Sequence, residues 1–130
     1  MTSMNDVERD IALSELQIAV VRVLWRNGET SVTDIAKVLG DERGLKHTTV
    51  ATLLTRLEKR GVVEQRREGR QLIYRALVSE PQVRRSMVAD LVGNLFGGDS
   101  RELVAHLVRE SDLAPGDLDN LRKRLQRKTP

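Results

Sequence analysis

Between residues 46 and 70 the chain gathers the side chains best able to do chemistry: Lys46, His47, Thr48, Thr49, Thr52, Thr55, Arg56 and Lys59, then Arg67 and Arg70. Hydroxyls interleaved with cations are suited to gripping a polyanion rather than to breaking a bond. From Arg43 to Arg75 nine basic residues stand against three acidic ones, Glu58, Glu64 and Glu68, a local charge of +6. The whole chain carries +3, so the remainder is −3. A basic segment on a slightly acidic body is the electrostatic footprint of a polyanion-binding face. The plain alternative is a solvated surface of no special use. Branching at Cβ makes threonine a poor helix former, so helix stability did not select this face.

Enzyme chemistry finds little support. The chain has no Gly-rich phosphate loop, no HExxH and no serine nucleophile in a recognisable setting. It contains no Cys, which excludes disulfides, thiolate metal sites and a cysteine nucleophile. Its two histidines, His47 and His106, do not make a metal cluster. No catalytic residue, metal or cofactor is therefore expected. RNA binding is disfavoured because one Trp, one Tyr and one Phe leave few rings on which unpaired bases could stack. The stretch MTSMNDVERD carries acidic residues where a signal peptide needs a basic region, and no apolar run approaches the roughly 20 residues that span a bilayer. A cytoplasmic location is expected.

The elements that must position these side chains follow from periodicity. Ser14-Glu15-Leu16-Gln17 is a capping-box pattern, and Leu16, Ala19, Val20, Val23 and Leu24 keep helical spacing up to Trp25, after which Asn27-Gly28 ends the helix. Ser31 caps a shorter second helix with Ile35, Val38 and Leu39 turned inward, which Gly40 is expected to close. In KHTTVATLLTRLEKRG, Val50, Leu53, Leu54 and Leu57 form the buried stripe of a third helix. At about 100° per residue the outward arc then holds Thr48, Thr52, Thr55 and Lys59, flanked by Thr49 and Arg56. Two β-prone runs, Val62-Val63 and Leu72-Ile73-Tyr74, flank Arg67-Glu68-Gly69-Arg70 and read as a hairpin. Three helices and a basic-tipped hairpin are the order of a winged helix-turn-helix, with the third helix in the major groove and the wing on the backbone or minor groove.

From Ser79 onward the pattern is helical again. Val83, Met87, Val88, Leu91, Val92 and Leu95 form one stripe; two further short helices add Leu103, Leu107, Leu118, Leu121 and Leu125. About 50 residues of such helices do not easily bury their apolar stripes alone, and a second copy is the simplest cover; folding back on the first domain is the alternative. The expected fold is therefore mainly α: a winged-helix domain over residues 1–79 and a C-terminal helical dimerisation domain over 80–130. The dimerisation residues would be Val83, Met87, Leu91, Val92, Leu95, Leu103, Leu107, Leu118, Leu121 and Leu125.

The blocks LSELQIAVVRVLW, TTVATLLTRLEKRGVV, Tyr74 and NLFGGDSRELVAHLV, in that order, resemble the BlaI/MecI/CopY (penicillinase-repressor) family over nearly the whole chain after Ile11. The resemblance implies a homodimeric repressor on a dyad-symmetric DNA operator, controlling antibiotic-resistance or stress genes. It implies DNA contacts at Thr48, Thr49, Ala51, Thr52 and Arg56, with short hydroxylated side chains letting the helix approach the groove closely. Ala51 stands where some relatives carry Arg, which leaves the operator sequence open. Copper-responsive relatives use cysteine pairs that this chain lacks. Antibiotic-responsive relatives are cut by a sensor metalloprotease at an Asn-Phe bond, and His106-Leu107 stand at the matching positions, so that partner is implied without a matching cut site. A protein-binding winged-helix module is the competing reading; the local +6 and a steep salt dependence of duplex binding discriminate the two.

Overall fold

The computed structural model describes residues 11–111 and 113–128; the acidic stretch read above against a leader, residues 1–10, lies outside them. Helix α1 spans Glu15–Asn27 and opens with the expected capping box: Gln17 N donates to Ser14 Oγ at 3.2 Å and Ser14 N donates to Gln17 Oε1 at 3.0 Å. It ends where Gly28, at φ 74°, donates its N–H to Leu24 O.

A two-residue strand, β1 (Thr30–Ser31), follows and was not expected, because two residues are too few to display a period. Ser31 ends the strand and caps helix α2 (Val32–Arg43), its hydroxyl accepting from Asp34 N at 3.1 Å. The expected stop at Gly40 is corrected. Gly40 lies within the helix, and Gly44, at φ 69°, takes the left-handed terminal position and donates to Gly40 O. Asp41, Glu42 and Arg43 include no helix breaker, so the helix continues through them to the glycine that can adopt positive φ.

Helix α3 (His47–Lys59) buries Val50, Leu53, Leu54 and Leu57, the predicted stripe. Strands β2 (Val63–Glu68) and β3 (Gln71–Ala76) form the hairpin, and the antiparallel sheet has the order β1-β3-β2. The core joins Val20, Val21, Ile35, Leu39, Val50, Leu54, Leu57, Val62 and Val63, all nearly inaccessible. Tyr74 is the aromatic residue buried among them.

Helix α4 spans Glu80–Leu95, and the chain divides into two compact units between Met87 and Val88. The start of α4 therefore belongs to the first unit. Val83 is 4% exposed in the core, Met87 packs against it, and Ser86 Oγ accepts from Ile11 N at 3.0 Å. This corrects the expectation that Val83 and Met87 lie on a stripe open to water. Trp25 Nε1 donates to Val78 O at 2.9 Å just ahead of this helix.

The second unit holds the end of α4, α5 (Ser100–Glu110) and α6 (Pro115–Lys128). Asp99 caps α5 by accepting from Arg101 N, and the Phe96 and His106 rings lie 6.0 Å apart. Among its described residues no side chain is buried. Leu91, Leu95, Leu107, Leu121 and Leu125 are exposed, and Val92, Leu103 and Leu118 are half-buried. No helix among the described residues is long and apolar enough to cross a membrane.

Candidate nucleic-acid interface

Helix α3 begins against its own dipole. Its N-cap is Lys46, which makes no side-chain capping bond, and its first turn carries no acidic residue. A cation at this end is unfavourable to the helix, so Lys46 and the neighbouring His47, both exposed, are placed for something other than helix stability. Thr48, Thr52, Thr55, Arg56 and Lys59 are exposed as the spacing predicted, while Thr49 and Ala51 are half-buried on the flanks.

The hydroxyls are more constrained than the sequence implied. Thr52 Oγ1 donates to Thr48 O at 2.9 Å and Thr55 Oγ1 donates to Ala51 O at 3.0 Å. This local bonding is the usual resort of threonine inside a helix. Both protons are committed within the helix, so what Thr52 and Thr55 offer outward is hydroxyl lone pairs and methyl groups. Toward a partner they act as acceptors.

Alternation along the wing sorts its arginines. The register pairs Glu64 with Arg75, Arg66 with Ile73, Arg67 with Leu72 and Glu68 with Gln71. Glu64, Arg66 and Glu68 share one face, because side chains repeat every second residue in a strand. That face neutralises itself: Arg66 bonds Glu29 at 3.0 Å and Glu68 at 2.5 Å, and Arg75 bonds Glu64 at 2.5 Å. The Arg66 hydrogen bond, then its charge, holds the Glu29 carboxyl below the usual carboxylate range. Glu29 and then Glu68 push the Arg66 guanidinium further up, so it stays charged at any ordinary pH.

Arg67 lies on the opposite face with Gln65, whose amide donates to both oxygens of Glu58, at 3.1 and 3.2 Å, and so ties the wing to α3. Arg70 follows Gly69 in the two-residue tip, where Gly69 takes φ 62° as such a turn requires. Among the described residues neither Arg67 nor Arg70 has an acidic partner; the same holds for Lys46, Arg56 and Lys59. The local +6 thus resolves into paired arginines and a set of unneutralised cations on α3 and the wing.

Leu16 was missed. Grouped by its spacing with the apolar positions of α1, it is 37% exposed and lines a shallow concavity of about 340 Å³ with Thr48, Thr49, Thr52, Leu53 and Arg56. Its place in the first turn of α1 was legible; the closeness of that turn to the outward flank of α3 was not. No group of three or more His, Cys, Asp or Glu among the described residues is gathered as a metal ion would need.

The sequence profile of the penicillinase repressors matches residues 13–127. The chain belongs to the penicillinase repressor family. The methicillin resistance regulatory protein MecI of Mammaliicoccus sciuri is 24% identical over 116 residues, which are 89% of this chain and 94% of MecI. Among solved structures, the DNA-binding domain of the repressor BlaI aligns with a TM-score of 0.53 at 24% identity, covering 57% of this chain and 90% of that domain. The monomeric form of Bacillus licheniformis BlaI, solved in complex with the blaP half-operator, aligns at 0.51 and 24% identity over the same shares. These likenesses fix the fold as a winged helix-turn-helix. As a member of this family, the chain is a DNA-binding transcription regulator.

Proposed function

We propose that this protein binds a two-fold-symmetric DNA operator as a homodimer in the cytoplasm and blocks transcription of the gene it overlaps. Lys46, His47, Thr48, Thr49, Ala51, Thr52, Thr55 and Arg56 form its groove-reading face, and Arg67 and Arg70 its backbone contacts. The observation that carries this reading is the separation of charge. Among the described residues, Lys46, Arg56, Lys59, Arg67 and Arg70 stay without acidic partners while Arg66 and Arg75 are neutralised on the other face of the wing. Unneutralised cations beside a groove-sized helix favour the phosphate backbone as partner. MecI is a methicillin resistance regulatory protein, which supports resistance or stress genes as targets.

Dimerisation is supported by the second unit, where no described side chain is buried and five leucines are exposed. Leu91, Val92, Leu95, Leu103, Leu107, Leu118, Leu121 and Leu125 are the residues for that interface. Two recognition helices tied in this way meet half-sites about one helical turn apart, or a multiple of it. Control by a sensor metalloprotease rests on family kinship. His106 and Leu107 both lie inside α5, so a cut between them would first need that helix to open.

The test is a titration of the full chain on duplex DNA at several salt concentrations, together with sedimentation. A dimer whose affinity falls steeply with salt and exceeds its affinity for random duplex is expected. A salt-independent or undetectable interaction would favour the protein-binding module instead.

A further inference from the structure

The lining of the concavity beside α3 decides what it can hold. Leu16 enters it from α1; Leu53, only 8% exposed, is its floor; Thr48, Thr49, Thr52 and Arg56 complete it. A site for a small molecule encloses most of its ligand, whereas this depression is open and suits the edge of something larger. Thr52 presents a methyl and lone pairs, since its proton is held by Thr48 O, and Leu16 and Leu53 add only hydrocarbon. A phosphate would lose water here and gain one guanidinium. In the major groove the apolar edge is the 5-methyl group of thymine.

From this lining we propose that Leu16 is a specificity-determining residue: it forms, with Thr52 and Leu53, a socket for the 5-methyl of one thymine per half-site, with Arg56 at its edge. The proposal rests on the DNA-binding reading above and assigns a role in α1 that the outward face of α3 alone does not supply.

The experiment is a double-substitution cycle on a duplex selected in vitro from a random pool with the full chain. Each thymine of a half-site is replaced in turn by uracil, which removes only the methyl, and binding is measured for the wild type and for Leu16→Ala. Burying one methyl group is worth roughly fourfold in affinity. Uracil at one position should cost the wild type about that factor and cost Leu16→Ala nothing further, with other positions affecting both alike. Leu16→Met, which keeps the hydrocarbon, should retain the thymine preference, and unchanged unfolding midpoints separate reading from folding. Additive effects at every thymine would overturn the proposal even if Leu16→Ala binds more weakly overall, because that loss would come from sugar or backbone contact. Failure of the wild type to select any duplex would instead remove the DNA-binding reading itself.

Discussion

Arg66 and Arg67 are adjacent in strand β2 yet belong to opposite faces of the wing: Arg66 is held by Glu29 and Glu68, and Arg67, across from Leu72, has no acidic partner among the described residues. Arg66→Ala should therefore leave the salt dependence of DNA binding unchanged. Arg67→Ala and Arg70→Ala should each weaken binding to all sequences and lower the salt slope by about one phosphate equivalent. Equal slopes for all three variants, measured by titration at several salt concentrations, would show that ion pairing does not sort the wing.

Thr52 lies mid-helix on the exposed arc of α3, its hydroxyl bonded to Thr48 O. Thr52→Glu places a carboxylate against the phosphates, so specific binding should collapse while stability changes by no more than about 0.5 kcal/mol, the usual range for a surface site. Thr52→Val keeps the shape and the methyl and should keep binding. Specific binding by the glutamate variant would show that another face of the molecule reads DNA.

Much of this was legible in the sequence because short-range physics decides it. The Ser14 and Ser31 caps, the α3 stripe and the Gly69 turn each depend on residues within a few positions of one another. What escaped depends on distant packing. Gly40 looked like a helix end because the better candidate, Gly44, was hidden behind three charged residues. Val83 looked available to a partner because its spacing fits a surface stripe, while its burial comes from the first unit. In the wing, alternation could have separated Arg66 from Arg67, but Glu29 lies 37 residues away and gave no local sign of its role.

That burial makes Val83 and Leu95 unlike in effect although they share a helix: Val83 is 4% exposed and Leu95 is 69% exposed. Val83→Ala should lower the stability of the winged-helix unit by roughly 2 kcal/mol through the cavity it leaves. Leu95→Ala should spare that unit and weaken self-association, read by sedimentation. A fragment ending at Met87 should keep the fold as a monomer, and one ending at Ser79 should be measurably less stable because it lacks Val83. Equal unfolding midpoints for the two fragments would contradict the assignment of Val83 to the core.

Burial, and then the negative Glu58, push the Tyr74 phenol above its ordinary value. The folded state thus favours the neutral ring. Its contribution to stability is complete below the unfolded value of about 10 and is lost as pH rises through the folded value. Unfolding midpoints should fall through this alkaline range in the wild type, and Tyr74→Phe should fall less. Parallel curves would show that the phenol does not sense folding.

Trp25, the one tryptophan of the chain, donates to the carbonyl of Val78 from within the first unit. The molecule thereby carries a fluorophore wired to one of its two halves. Its emission follows loss of that hydrogen bond and solvent entry around the indole, both events of the first unit. Backbone circular dichroism reports on both. A gap between the two signals during denaturation would therefore measure how far the halves melt independently, without any label being attached.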